Sequence, residues 1–431
     1  MFGITPSALV TYQSDQTPLN RPITEDEAAW ITSYMCLGAI LGTILLGSTA
    51  DRFGRKIMLQ WSGLFQIVKI CYFTRKFLVG AGSGGAYILL PIYVAEISED
   101  HSRGSLGSYI STFRSLGILI GFVIGAYLDY NIIPYVGATI STIFTLSFPF
   151  VQESPYFFVT KKNIPMIEKS LRWFRGIRSF EDRSKRDFMR EVEKFRNMTI
   201  SSDDTENNEL YHGFCSCFIF KIFTIALVLV TTTQFCGIFA VLNYANVIFT
   251  DISTGFSANE SGIILAVTQF LSTYFGTLIA DNFNRKLLIS LTSLGSGVFL
   301  ATFGATVYLR ESGLAFGEYK WIPLLCLCLT IVLANMGLYP LAFVVIAEIF
   351  PQKYVYNSLF FNSNQTKLFF NCFQYYYLLT NLVGIYGCMW IFSAFCFFEC
   401  AFTLSFLPET RGKSFAEIQE LLGAKKTITP E

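Results

Sequence analysis

Apolar runs of about 20 residues recur along the whole chain, and this feature limits its fold more than any other. A helix needs about 20 apolar residues to cross roughly 30 Å of hydrocarbon, and in lipid its backbone groups must be paired within the segment. The 431 residues are 52% hydrophobic and only 15% charged, whereas a soluble protein usually carries about 25% charged residues. The sequence therefore predicts an all-α membrane protein that crosses the bilayer many times.

About 11 spans are predicted, at 28–50, 57–73, 76–98, 105–128, 131–151, 215–249, 258–281, 287–309, 321–350, 356–379 and 384–407. The residues before position 13 are too few to span the bilayer. We interpret them as the end of a first helix that is mostly missing, and we expect the third helix to be short. The spans divide the chain into an N-terminal transmembrane half (1–151), a loop with short amphipathic helices (152–213), a C-terminal transmembrane half (214–407) and a tail (408–431).

Lysines and arginines are distributed unevenly among the predicted loops. If the stretch "DRFGRK" at 51–56 faces the cytoplasm, the cytoplasmic segments hold 23 of the 32 basic residues. An excess of basic residues marks the cytoplasmic side of a membrane protein. The long loop and the C-terminal tail are therefore predicted to be cytoplasmic.

Several motifs of the first half return in the second. "DRFGRK" at 51–56 has a partly matching copy, "DNFNRK", at 281–286. "PIYVAEISEDHSRG" corresponds to "PLAFVVIAEIFPQKYVY". "QESPYFF" closes the first half, as "PETRGKS" closes the second. Two halves built on one plan are typical of a transporter that rocks around a central site.

These motifs resemble the sugar porter family of the major facilitator superfamily. The resemblance rests on D-R-x-G-R-K at 51–56, on E-x6-R-G at 96–104, and on "QESPYFF" and "PETRGKSFAEI". "RPITEDEAAWITS" at 21–33 is similar to the insect facilitated trehalose transporter branch. The resemblance implies a major facilitator fold of two six-helix-type halves. It also implies facilitative transport of trehalose or a hexose by alternating access, by a monomer in the plasma membrane.

The resemblance further implies a cytoplasmic gate of ion pairs, which part as the carrier changes its access. Its first-half members would be Asp51, Arg52, Arg55, Glu96, Arg103 and Glu153. Its second-half members would be Asp281, Arg285, Glu348 and Glu409. We expect the second set to be weaker, because Asn284 replaces the glycine of the turn and Val355 stands where an arginine is expected. The alternative is that these charges simply line a cytoplasmic surface.

A sugar site needs amide side chains that both donate and accept, together with an aromatic face. The resemblance places Gln234, Gln269, Asn364 and Tyr244 at sugar-contact positions, while about half of the usual contacts are replaced. A lone amide in a membrane helix also serves to hold helices together. That interpretation stays open for each of the four residues.

Two cations are predicted inside membrane spans. Arg114 lies three residues after Ser111, and Lys367 three after Asn364, so each shares a helix face with a sugar-contact position. A charge at that depth is costly and usually faces a cavity or a partner. Either each cation snorkels or is paired, or the cavity accepts an anionic substrate.

Other classes of protein find little support. The 11 cysteines lie mostly inside apolar runs and the chain has two histidines, which argues against a metal site. No nucleophile–base constellation points to an enzyme, and nothing suggests a cofactor or nucleic acid. A transport-dead relative that acts as a sensor or binding partner is the main alternative, because so many sugar contacts are replaced.

Glycines at every fourth position predict helices that approach each other closely. One such stripe contains Gly38 and Gly42, and a second contains Gly117, Gly121 and Gly125.

Overall fold

The computed structural model of the chain describes residues 21, 24–67, 72–99, 103–128, 132–177, 188–193, 195–196, 217–251, 256–280, 283–313, 321–349, 372–411, 413 and 417. The helices of the first half are α1 (Glu25–Phe53), α2 (Arg55–Ile67), α3 (Tyr72–Ile97), α4 (Arg103–Tyr127) and α5 (Ile133–Ser147). Two short helices follow, α6 (Pro155–Thr160) and α7 (Ile164–Phe174). The helices of the second half are α8 (Cys217–Phe235), α9 (Ile238–Asp251), α10 (Ala258–Ala280), α11 (Arg285–Glu311), α12 (Ile322–Leu333), α13 (Tyr339–Ile349) and α14 (Cys372–Phe406).

Nine helical segments within the described residues are long and apolar enough to cross a membrane. This confirms the prediction of an all-α membrane protein. Two of the 11 predicted spans are not among the nine. The span at 57–73 corresponds to α2, which has only 13 residues, and most of the span at 356–379 lies outside the described residues. The expected first helix, before position 13, also lies outside them.

Three predicted spans contain or border an interruption that hydropathy did not indicate. Gly237, with φ +80°, separates α8 from α9 inside the span predicted at 215–249. Residues Ala334–Leu338 form a π-helical turn between α12 and α13. Gly384, with φ +72°, interrupts α14. Only glycine adopts such positive φ values without strain, so the breaks at Gly237 and Gly384 are built into the sequence.

The described chain forms two compact units. One contains residues 34–110 and 135–215, and α1 and α3 pack in it at backbone contact. A Cβ on Gly42 would collide with the carbonyl of Ala81, and one on Gly80 with the carbonyl of Met35. The close approach predicted from the first glycine stripe is therefore confirmed.

The other unit contains residues 1–33, 111–134 and 216–431. Its largest apolar core joins α4, through Phe122, to the helices of the second half, with Tyr244, Leu265 and Phe303 at the centre. The prediction for the second glycine stripe is wrong at Gly117, where an added Cβ would meet nothing within 4 Å. A stripe of small residues records spacing along one helix and does not identify which face meets a neighbour.

Candidate functional site

The stretch "DRFGRK" forms the turn between α1 and α2, where Arg55 joins three segments of the first unit. Its guanidinium forms an ion pair with Asp51 at 2.7 Å and another with Glu96, at the end of α3, at 3.1 Å. It also donates to the carbonyl of Ala50 at 3.3 Å. Because the arginine is only 7% exposed, these partners replace the water that its charge would otherwise need.

Glu153 belongs to this cluster but binds main chain. Its two carboxylate oxygens accept from the backbone N–H of Lys56, each at 3.1 Å. That N–H lies in the first turn of α2, where backbone donors have no partner within the helix and the helix dipole favours a negative charge. Glu153 thus caps a helix that lies 97 residues earlier in the chain.

The glycine of the turn makes room for this cap. Gly54 has φ +106°, and a Cβ there would collide with Oε2 of Glu153. The motif therefore combines a residue that tolerates the left-handed turn with open space for the carboxylate. Ser154, which sequence analysis did not single out, donates to the remaining oxygen of Glu96 and caps α6.

The second unit repeats this arrangement in a looser form. Glu409 accepts from the backbone N–H of Arg285 at 3.0 Å and of Lys286 at 3.2 Å, and so caps α11 as Glu153 caps α2. Arg285 stands 3.7 Å from Glu348, compared with 3.1 Å for the corresponding pair of Arg55 and Glu96. Asn284 occupies the place of the glycine with φ −63°. That the second cluster is the weaker one stays a prediction.

The remaining predicted gate residues lie at the margins of these clusters. Arg52 is exposed, and its guanidinium stands 5.5 Å from the centre of the Phe53 ring. Arg103 begins α4, but its side chain lies outside the part of the chain that the structure describes, as does Asp281.

Arg175 is a residue of the first cluster that sequence reasoning missed. It follows α7, donates to the carbonyl of Ile97 at 3.0 Å, and pairs with Glu99 at 3.3 Å and with Glu191. The loop helix is thus attached to the end of α3, which also carries Glu96. A basic residue at the end of an amphipathic helix was visible in the sequence, but its partners were not.

Two of the predicted sugar-contact amides have a buried hydrogen-bonding atom that is unused. Nε2 of Gln234, in the last turn of α8, has no partner among the described residues, and neither has Oε1 of Gln269 in α10. Gln269 is only 3% exposed. One amide therefore lacks an acceptor and the other lacks a donor, and buried polar groups in this condition are rare. A hydroxyl group can supply both functions.

The other two predicted contacts differ from these amides. Tyr244 is fully buried within the apolar core, at a kink in α9 where its φ is −112°. Asn364 lies outside the described residues. Asn246, which sequence reasoning did not select, donates from Nδ2 to Oδ1 of Asn259 at 2.7 Å and so links α9 to α10.

Arg114 has a partner inside the protein. Its guanidinium stands 5.3 Å from the centre of the Tyr339 ring, next to the π-helical turn. The neighbouring Ser115 donates to the Thr273 hydroxyl at 3.0 Å. This cation–π contact favours the interpretation in which Arg114 is held by packing. Lys367 lies outside the described residues, so an anion-accepting cavity stays a prediction.

A family model described as "Sugar (and other) transporter" matches residues 5–422. The chain belongs to this family. The two capped turns and the charged clusters are therefore parts of a membrane transporter of the sugar transporter family.

Curated relatives of the family align along nearly the whole chain. The facilitated trehalose transporter Tret1 of Bombyx mori is 29% identical over 434 residues, which cover 97% of this chain and 82% of the relative. Tret1 of Apis mellifera ligustica is 31% identical over 432 residues, covering 96% and 83%.

Solved structures show the same fold. The xylose transporter XylE from E. coli, in an inward open conformation, superposes with a TM-score of 0.76 at 21% sequence identity, and 97% of this chain and 96% of that chain are covered. At this identity the likeness establishes the fold alone.

Proposed function

We propose that the chain carries a neutral sugar, trehalose or a hexose, across the plasma membrane by facilitative alternating access. The observation that carries this proposal is the repeated turn, in which a distant glutamate caps the helix after it in each half. Several hydrogen bonds and ion pairs form together at each turn, and they break together when one helix end moves. A carrier that alternates between two conformations requires contacts of this kind. The names of the relatives, facilitated trehalose transporters, support the choice of sugar.

Gln234 and Gln269 supply the sugar contacts in this proposal. Their unused donor and acceptor complement the hydroxyl groups of a sugar, and Asn364 and Tyr244 complete the predicted set. The chain performs no covalent chemistry on the sugar. It acts as a monomer in the lipid bilayer, with the charged turns, the long loop and the tail on the cytoplasmic side.

Uptake by the purified chain in liposomes tests the proposal. Labelled trehalose or glucose should enter until its concentrations are equal, should be recovered uncleaved, and should not need a proton gradient. Gln269→Leu should abolish uptake, whereas Gln66→Leu, at an amide that faces Ser141, should leave it largely intact. A well-folded chain that carries neither sugar would contradict the proposal and favour the transport-dead alternative.

Glycosylation tests the orientation. The sequon at Asn197–Thr199 lies in the long loop and should stay unmodified if that loop is cytoplasmic. The same tripeptide inserted after Gly313 should be glycosylated. The reverse pattern would contradict the proposed orientation.

A further inference from the structure

Glu399 is a carboxyl group buried inside the last membrane span. It lies in α14, within the span Leu382–Phe406, and is 0% exposed. Neither of its carboxylate oxygens has a hydrogen-bond partner among the described residues. An ionised carboxylate without partners is very costly in an apolar interior, whereas the protonated form avoids most of that cost.

The carboxyl lies in a seam between α14 and the end of α8. Phe392, Cys396, Glu399 and Thr403 follow each other at spacings of four, three and four, which places them on one face of α14. Phe392 packs against the break between α8 and α9, where a Cβ on Gly237 would stand 2.5 Å from its ring.

Aromatic stacking holds the same seam. The rings of Phe235 in α8 and Phe395 in α14 stack with their centres 4.7 Å apart. Two buried thiols lie along the same seam: Cys236 follows Phe235 directly, and Cys396 lies one turn of α14 before Glu399. Along α14, Glu399 therefore lies two helical turns from Phe392, the residue that packs against the break between α8 and α9.

The polar neighbour of the carboxyl indicates which form is held. Thr232 of α8 faces Glu399, but its hydroxyl already donates to the carbonyl of Val228 at 2.9 Å and to that of Leu229 at 3.2 Å. A hydroxyl has a single proton, and while one of these carbonyls holds it the hydroxyl offers the carboxyl only an acceptor. A protonated carboxyl donates and fits this neighbour. The one contact that favours a carboxylate is the Thr232 hydroxyl turned toward it, and burial outweighs that contact.

In the part of the chain that the structure describes, no charged group on the helices packed against this face acts on the carboxyl. The charges of α11 lie at its ends, on Arg285, Lys286, Arg310 and Glu311, and those of α8 and α9 are Lys221 and Asp251. Thr403, one turn along α14, is buried with its own hydroxyl unbonded in the described part of the chain. Lys367 lies outside the described residues and enters the test below.

We propose that Glu399 is a proton-binding site that locks α14 against the break at Gly237. When α8 moves away and water reaches the seam, the carboxyl ionises and one proton is released. Above the pH at which the exposed carboxyl ionises, each further pH unit therefore favours the open seam by up to about tenfold. This goes beyond the proposed sugar transport, because it makes the conformational equilibrium of the carrier depend on pH.

Infrared spectroscopy of the full chain in lipid nanodiscs tests the protonation directly. With ¹³C-labelled glutamate, the carbonyl stretching band of a protonated carboxyl should persist at neutral pH in the wild type. It should disappear in Glu399→Gln and remain in the control Glu311→Gln, an exposed carboxyl at the end of α11. Absence of the band from the wild type would overturn the proposal.

Thiol labelling tests the link to seam opening. The labelling rate of Cys236, read by mass spectrometry of its peptide, should rise with pH more steeply in the wild type than in Glu399→Gln, between about pH 6 and 8. Equal slopes would overturn the proposal. Neither readout needs a transported sugar, so this inference and the proposed function can fail separately.

A lysine partner is the competing explanation. If Glu399→Gln fails to fold but Glu399→Gln/Lys367→Met folds, the glutamate is ionised and paired with Lys367, and the proposal is overturned. If Glu399→Gln does not fold in either background, the infrared band of the labelled wild type decides.

Discussion

At the scale of single residues, Gly54 is the position where the turn tolerates least change. Its φ of +106° and the carboxylate of Glu153 leave no place for a side chain. Gly54→Ala should lower the free energy of unfolding by at least about 1–3 kcal/mol, the cost of a strained backbone. Thermal unfolding in detergent measures the loss.

Gly176 provides a control for Gly54, because it also has positive φ, +64°, but an added Cβ there would meet nothing within 4 Å. Gly176→Ala should cost only about 1 kcal/mol of backbone strain. If both variants lose the same free energy of unfolding, the space that Gly54 leaves for Glu153 does not contribute to stability.

Arg55 and Arg285 occupy equivalent positions, but their substitution should lower the free energy of unfolding by different amounts. Arg55→Gln leaves Glu96 half-buried without its cation, which should cost about 3–5 kcal/mol. Arg285→Gln removes a 3.7 Å pair with a more exposed glutamate and should cost less than Arg55→Gln, because water reaches part of Glu348 when its partner is gone. Unfolding of both variants, and of Arg55→Gln/Glu96→Gln, checks this. The double variant should be more stable than Arg55→Gln alone, because it no longer contains the unpaired carboxylate of Glu96.

At the scale of helices, the contact between α1 and α3 depends on glycine. Gly42→Ala should separate the two helices and strongly reduce the yield of folded protein, because the added methyl group meets the backbone of Ala81. Gly117→Ala meets open space and should be neutral, or stabilising by up to about 1 kcal/mol through helix propensity. Size-exclusion chromatography and thermal unfolding distinguish the two outcomes.

The break between α8 and α9 should be similarly sensitive. Gly237→Ala combines a strained φ with a collision against Phe392. Phe392→Ala in the same chain should remove the collision and leave the backbone strain. A double-mutant cycle of unfolding free energies isolates the steric part. Strict additivity of the two changes would show that the ring does not hold the break.

At the scale of the whole molecule, the first cluster should control the rate of access change more than the binding of sugar. Arg55→Gln removes bonds that link α1, α2 and α3 at some distance from Gln234 and Gln269 along the chain. A loss of about 1.4 kcal/mol from one access state shifts the equilibrium tenfold. We expect the maximal uptake rate to fall about that much, with little change in the sugar concentration that gives half-maximal uptake. A change confined to that concentration would contradict the gate.

Much of the fold was accessible from the sequence because hydropathy is a property of each segment taken alone. Nine predicted spans were found in the described residues. The motif "DRFGRK" pointed to a turn that brings Arg55 to Glu96. The short α2 agrees with the expected short third helix. The break at Gly237 was not predicted, because an apolar composition does not distinguish a continuous helix from one that glycine interrupts.

The sequence by itself determined that this is a multi-spanning helical carrier of two related halves, since the lengths of its apolar runs and the repeated motifs are read residue by residue. Only the tertiary structure decided that Glu153 and Glu409 cap helices, that Arg175 attaches the loop to α3, and that Glu399 is enclosed in the seam. These roles depend on which helix faces which, and on how each is rotated about its axis. Such properties arise from the packing of distant segments, and no local pattern records them.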